Sequence, residues 1–179
     1  MNTHDPRVRV LVAYASKSGT TAEVAEVIAE TLAGEFTRVE LRPMDEVQDL
    51  HLYDAAVIGS AIRVGKWLPA AVQFVDLHQH ELRQIPVALF TVCLTMMEDT
   101  LDNRLLVEEY MRPVLKLVQP VTIGLFAGRM DPAKLGLAER LIAKTMQPPQ
   151  GDFRDWDAIR LWAADLQPAL LAEVARLGV

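Results

Sequence analysis

The chain has 179 residues, of which 51% are hydrophobic and 23% charged, a balance that suits a folded domain with an ordinary buried core. We therefore expect one domain over residues 1–179. The formal net charge of −6 argues against general attraction to nucleic acid or anionic lipid, since both favour clustered lysine and arginine. The single cysteine excludes an internal disulfide and a cysteine-only metal site, and we expect no metal.

Cellular location is predicted from what the sequence lacks. The N-terminal residues do not have the charged and then apolar layout of a secretory signal. No apolar run approaches the roughly 20 residues that a membrane-spanning helix requires. We therefore expect a cytoplasmic protein whose only membrane contact would be peripheral, at the inner membrane face. The sequence does not indicate an oligomeric state.

The first elements are predicted from hydrophobic periodicity. A β-branched run over residues 7–14 predicts a strand, and a hydroxyl-rich turn joins it to an amphipathic helix that Gly34 ends. Alternating apolar and polar residues over 37–41 predict a half-exposed second strand. Residues 55–60 predict a buried third strand, and residues 61–67 are expected to form a loop.

A helix with Leu68, Val72 and Val75 on one face is expected next, followed by a fourth apolar strand over residues 87–92. Residues 100–117 then predict a second long helix. Its inward residues are expected to be Leu101, Leu105 and Leu115, and Pro113 should kink or divide it.

The fifth strand is predicted around residues 121–125, and the last helix begins near Asp155 with a bend expected at Pro168. Five strands separated by helices, mostly apolar on both faces, predict an α/β fold with a doubly wound, five-stranded parallel sheet. Residues 128–151 are too long for an ordinary connection and predict an insert before the last helix. Its middle predicts an amphipathic helix over residues 134–146, with one stripe formed by Leu135, Ala138, Leu141 and Ile142.

The turn after the first strand carries the chemistry. Residues 16–21 read Ser-Lys-Ser-Gly-Thr-Thr, which is neither a Walker loop nor the G-x-G-x-x-G dinucleotide fingerprint. Backbone N–H groups, hydroxyls and the positive end of a helix dipole would converge there, and together they suit a phosphate monoester. The alternative is that the hydroxyls only cap the helix and fill the turn.

This turn resembles the flavodoxin pattern of Ser/Thr, any residue, Ser/Thr, Gly, any residue, Thr, matched by Ser16, Ser18, Gly19 and Thr21. In that family the turn holds the phosphate of FMN. The resemblance implies FMN as the cofactor and a flavodoxin-like strand order of 2-1-3-4-5. It also implies that the phosphate ligands are Ser16, Lys17, Ser18, Gly19, Thr20 and Thr21.

Residues 57–67 and 151–156 resemble the flavodoxin-like, menaquinone-dependent protoporphyrinogen oxidases. The resemblance implies that the loop after the third strand contacts the flavin ring, and ligands of parallel sheets do collect at such strand ends. The expected contacts are Ser60, Ala61, Ile62, Arg63, Gly65 and Trp67. Gly59 and Gly65 would let the chain approach the ring. Trp67 either walls the pocket or anchors the following helix, and Arg63 is either a ring or substrate contact or a solvated charge.

The loop after the fourth strand is expected to supply the other flavin wall through Val92, Cys93 and Leu94. Flavodoxins usually place an aromatic residue in this loop, whereas here Leu94, Met96 and Met97 leave it more open to a substrate. We interpret Cys93 as a small core residue in preference to a redox thiol.

No catalytic side chain stands out, which agrees with a cofactor that carries the redox chemistry. The resemblance implies an FMN-dependent oxidoreductase that takes hydrogens from a small-molecule substrate, protoporphyrinogen, and passes electrons to a quinone. The alternative is an electron-carrier flavodoxin with redox-protein partners, for which an acidic surface is suitable. A flavin-free protein of the same fold is disfavoured by the intact turn.

The insert is the feature expected to distinguish the oxidoreductase from the electron carrier. The resembled oxidases have a longer, more basic and aromatic region there, whereas the charges in this insert are nearly balanced. We expect its helix to lie near the flavin edge, as part of a substrate-facing or lipid-facing surface. A simple packing helix is the alternative.

Overall fold

The computed structural model describes residues 7–178. Its elements in chain order are β1 (Val8–Ala15), α1 (Thr20–Leu32), β2 (Thr37–Pro43), β3 (Ala55–Arg63), β4 (Lys66–Trp67), α2 (Pro69–Leu77), α3 (Gln79–Leu82), β5 (Val87–Cys93), α4 (Leu101–Leu115), β6 (Ile123–Ala127), β7 (Arg129–Met130), α5 (Leu137–Met146), β8 (Gly151–Asp152) and α6 (Trp156–Leu177). Short 3-10 turns lie at Met44–Glu46, Leu94–Met97 and Pro132–Lys134.

The main sheet has the order β2-β1-β3-β5-β6, and its five neighbouring strands are all parallel. Counted along the chain without the short β4, this is the predicted order 2-1-3-4-5, so the fold prediction is confirmed. Strand β4 pairs antiparallel with the end of β3, and β7 pairs with β8 in a separate ribbon.

Both faces of the sheet are covered, because its central strands are apolar on both sides. Every residue of β5 is buried. Helices α2 and α4 cover one face with side chains such as Phe74 and Met111, and α1 and α6 cover the other with Ile28 and Ile159. Gly59 reflects this packing, because a Cβ there would lie 1.9 Å from Cζ of Phe90. Core packing against Phe90 therefore explains why residue 59 is a glycine.

The predicted burial of α4 is wrong for Leu101 and Leu105, whereas Leu115 is partly buried and packs against the core. Leu101 and Leu105 are 71% and 55% exposed, and the core face consists of Val107, Met111 and Val114. The two leucines lie on a different side of the helix from that trio, so leucine spacing indicated the wrong stripe. Pro113 does not divide the helix either, since it lies in the last turn and the helix continues past it to Leu115. Helix α6 likewise runs through Pro168.

The predicted loop over residues 61–67 is instead a tight β-hairpin. Strand β3 continues to Arg63 and turns back through Val64 and Gly65 into β4. Both turn residues have positive φ, 50° and 67°, as a two-residue hairpin of type I′ requires. Gly65 is therefore explained by turn geometry. The sequence did not predict this turn because Val64 is β-branched, and β-branched residues rarely adopt positive φ.

Candidate cofactor site

The hydroxyl-rich turn lies at the carboxyl end of β1, where the sheet order reverses between β1 and β3. Open α/β sheets bind ligands at such switch points. Ser16 Oγ accepts a hydrogen bond from the Gly19 N–H at 3.1 Å, which closes the turn. Gly19 has a φ of 84° with open space where a Cβ would be, so glycine permits the conformation and leaves room above it.

The turn presents unpaired donors. The N–H groups of Ser18, Thr20 and Thr21 have no protein acceptor within residues 7–178, and no side chain caps the N-terminus of α1. The first N–H groups of a helix require an acceptor from outside it, and an anion is a suitable one. The arrangement therefore fits a phosphate group. The absence of a side-chain cap disfavours the alternative that the hydroxyls only cap the helix. Lys17 is exposed at the rim of the turn.

The hairpin after β3 reaches this turn. Arg63 Nη2 donates to Ser18 Oγ at 3.3 Å, and Ala61, Ile62 and Gly65 are partly exposed beside it. The predicted phosphate turn and second loop are thus brought together by the fold.

Two residues of this loop have structural partners. Ser60 is fully buried, and its hydroxyl accepts from the Leu68 N–H at 3.1 Å and donates to the Ala61 carbonyl at 2.9 Å. Trp67 is only 3% exposed and packs in the core, and its Nε1 has no partner among the described residues. This burial favours an anchoring role for Trp67 over ring stacking, because little of the indole surface is accessible.

The loop after β5 lies beside the hairpin, and Thr91 Oγ1 joins the two strands by donating to the Ser60 carbonyl at 3.0 Å. Val92 and Cys93 are buried and Leu94 is partly exposed. Burial raises the pKa of the Cys93 thiol, so it remains protonated at neutral pH and is a poor nucleophile. This agrees with its interpretation as a small core residue.

An ion cluster that sequence reasoning missed links the insert to the first turn of α1. Glu23, in the first turn of α1, binds Arg129 at 2.9 Å and Arg154 at 2.7 Å. Arg154 is only 3% exposed in its side chain, binds Asp152 at 2.6 Å and lies 4.3 Å from the ring centroid of Trp156. Arg129 lies at the start of the insert, and Arg154 follows shortly after its end. In the sequence, the only hint of this cluster is a pair of arginines that flank the insert, together with an acidic residue just after the hydroxyl-rich turn.

The insert lies at the carboxyl edge of the sheet, the edge on which it was expected. The Gly128 N–H donates to the Cys93 carbonyl at 3.1 Å, directly after β6. Of the predicted stripe, Leu135 is buried, whereas Ala138 and Leu141 are exposed; the side chain of Ile142 lies outside the described residues. Leu137 and Leu141 are 88% and 70% exposed, so α5 presents apolar side chains to solvent.

The ion cluster predicts acid sensitivity. Arg154 hydrogen bonds hold the pKa values of the Glu23 and Asp152 carboxyls below their ordinary values. Because the folded-state pKa values are lowered, the resulting stability is present above the unfolded-state pKa values and is lost as pH falls through the folded ones. We expect Glu23→Gln to be less stable than wild type at pH 7 by urea unfolding, with the difference shrinking toward about pH 3. A difference that is constant with pH would contradict this.

Within residues 7–178, no three His, Cys, Asp or Glu side chains are grouped so that they could hold a metal ion. In the same part of the chain, none of the helices combines the length and apolar character needed to cross a bilayer.

The fold and the turn define a doubly wound α/β protein with a place for an anionic ligand at the switch point of its sheet. A family model described as "Flavodoxin domain" matches residues 11–157, and the chain belongs to that family. The suspected relationship is thereby confirmed, and so is FMN as the cofactor.

Individual relatives and structures agree with this assignment. The chain is 28% identical to a Leishmania major protein named "Protoporphyrinogen IX dehydrogenase [quinone]", over 92% of this chain and 77% of the relative. A protein of the same name from Escherichia coli K12 is 26% identical over 87 residues, 48% of each chain.

Among solved structures, an archaeal flavodoxin has a TM-score of 0.56 at 17% identity, over 92% of this chain and 99% of its own. An oxidoreductase from Corynebacterium diphtheriae has a TM-score of 0.60 at 17% identity, over 94% of this chain and 100% of its own. At this identity the structures show the shared fold. The family and the names of the relatives support a flavin oxidoreductase.

Proposed function

We propose that the protein is an FMN-dependent oxidoreductase that takes hydrogens from protoporphyrinogen and passes electrons to a quinone. The observation that carries the proposal is the cluster of unpaired N–H donors at the turn between β1 and α1, beside two partly exposed loops. The choice of substrate is supported by the name of the Leishmania major relative, which aligns with 92% of this chain.

The turn would hold the FMN phosphate. Its ligands in this proposal are the Ser16 and Ser18 hydroxyls and the backbone amides from Lys17 to Thr21, among which those of Ser18, Thr20 and Thr21 have no protein acceptor within residues 7–178 and that of Gly19 donates to Ser16 Oγ. The helix dipole of α1 and the Arg63 guanidinium, which already bonds to Ser18, would add positive potential there.

The flavin ring would lie between the hairpin and the loop after β5. Its proposed contacts are Ala61, Ile62, Arg63, Gly65, Val92, Cys93 and Leu94, with Ser60 and Trp67 supporting the hairpin from the core. Bound FMN supplies the hydride and single-electron chemistry. Leu94 and Met97 are partly exposed where a flavodoxin usually has an aromatic plate, which would leave one face of the ring accessible to substrate.

The protein residues would bind and orient rather than transfer protons. Burial raises the pKa of the Cys93 thiol, so this side chain is a poor proton donor at neutral pH. We therefore assign no catalytic side chain, and the proposed role of the loops is to position the ring and limit the access of water.

The test is anaerobic flavin reduction. Protein loaded with FMN is expected to lose its visible flavin absorbance when protoporphyrinogen is added, and a menaquinone analogue should restore the absorbance. Failure of the apoprotein to take up FMN would overturn the proposal at its first step. Reduction by a redox protein but not by protoporphyrinogen would instead support the electron-carrier function, which the net charge of −6 favours.

A further inference from the structure

A cleft of about 820 Å³ lies within the insert. Small-molecule sites typically have volumes of roughly 300–1,000 Å³ and are mainly apolar. Much of this wall is apolar, formed by Met130, Pro132, Ala133, Leu135, Ala143 and Pro148. The cleft therefore suits a ligand with a large apolar surface.

The charges on the cleft wall are cationic. Arg140 and Lys144 both line it, and its described wall includes no aspartate or glutamate. Arg140 closes the preceding turn, since its Nε donates to the Leu135 carbonyl and its Nη2 to the Ala133 carbonyl, each at 3.0 Å. Lys144, in the last turn of α5, has no protein partner among the described residues. An apolar wall with an available ammonium group is complementary to an amphipathic carboxylate.

The position of the cleft links it to the proposed flavin site. Met130 on its wall follows Arg129, whose guanidinium binds Glu23 in the first turn of α1. Gln150, at the other end of the wall, directly precedes β8. A ligand in the cleft would therefore lie at the edge of the sheet that carries the phosphate turn.

We infer that this cleft binds the carboxylate-bearing part of the tetrapyrrole substrate, with Lys144 pairing with a propionate. The inference rests on the proposed function, since it assigns a binding site to the substrate named there. Protoporphyrinogen combines a broad apolar ring system with propionates on one edge, which matches the apolar wall and the ammonium group. A quinone head group is uncharged and gains nothing from Lys144.

Protoporphyrin, the oxidised and fluorescent form, is a stable probe for this site. Titrated into protein loaded with FMN, it is expected to bind Lys144→Glu at least about tenfold more weakly than wild type, and Lys144→Gln about threefold more weakly. Lys134→Glu is the matched control, because Lys134 is exposed in the same insert but does not line the cleft. Its dissociation constant should stay within about twofold of wild type.

The dimethyl ester of protoporphyrin tests the carboxylate directly. It should bind wild type and Lys144→Gln equally, because it offers no charge to the ammonium group. Equal effects of the Lys144 and Lys134 substitutions, or an ester that remains sensitive to Lys144→Gln, would overturn the inference.

The two proposals fail differently. If protoporphyrinogen reduces the bound flavin but the Lys144 variants bind protoporphyrin normally, only the cleft assignment is wrong. If protoporphyrinogen does not reduce the flavin, the proposed function is wrong and the cleft is not a substrate-binding site.

Discussion

Replacing Ser18 with aspartate is expected to raise the dissociation constant for FMN at least about 100-fold, equivalent to about 2.7 kcal/mol. The new carboxylate would stand in the turn whose N–H donors are proposed to bind the phosphate, and like charges about 4 Å apart repel by about 4 kcal/mol at an intermediate dielectric. Arg63, which bonds to Ser18 in the wild-type turn, would be drawn toward the aspartate and offset part of this repulsion. Quenching of FMN fluorescence by the apoprotein measures the effect.

Ser18→Asn is the matched control for this substitution, since asparagine has nearly the same size as aspartate but carries no charge. It should weaken FMN binding by no more than about tenfold, the loss of one hydrogen bond. Riboflavin, which lacks the phosphate, should bind wild type and Ser18→Asp alike. An equal loss of riboflavin binding would indicate damage to the whole site, and unchanged FMN binding by Ser18→Asp would place the phosphate elsewhere.

The turn between β1 and α1 could be predicted from sequence because all its parts are local. Strand, hydroxyls, glycine and helix follow one another within residues 8–32, so their order along the chain already defines their arrangement in space. The parallel sheet was predictable for a similar reason, since continuous apolar runs such as β5 indicate strands covered on both faces.

The ion cluster could not be predicted in this way. Glu23 and Arg154 are separated by 131 positions, and only the folded chain shows that they meet. The sequence likewise does not show that Ser60 uses its hydroxyl to hold the Leu68 N–H, or that Trp67 is buried. Each of these depends on packing between elements, whereas periodicity reports only on a residue's own element.

Replacing Arg154 with methionine is expected to lower the free energy of unfolding by about 2–3 kcal/mol at pH 7. Methionine keeps the apolar stem but removes charge-assisted bonds to Glu23 and Asp152 and the cation contact with Trp156. The Glu23 and Asp152 carboxylates are 38% and 42% exposed, so solvent screens part of each ion pair and limits the expected loss of stability. Urea unfolding measures the change.

Arg160→Met is the matched control, because Arg160 lies in the same region, is 55% exposed and forms one surface pair with Asp157 at 3.3 Å. It should cost less than about 0.5 kcal/mol. A similar loss from both substitutions would show that the cluster contributes no more than an ordinary surface pair.

Arg154→Met should also weaken the binding of FMN. With Arg154 gone, Arg129 is the one remaining cation paired with Glu23 among the residues that the structure describes, and the Glu23 charge would oppose the phosphate proposed for the neighbouring turn. We expect Arg154→Met to weaken FMN binding about three- to tenfold, whereas the double variant Glu23→Gln/Arg154→Met should recover most of that affinity because the uncompensated carboxylate is absent. A double variant that binds FMN as weakly as Arg154→Met would mean that the arginine acts by positioning the insert and not through the charge on Glu23.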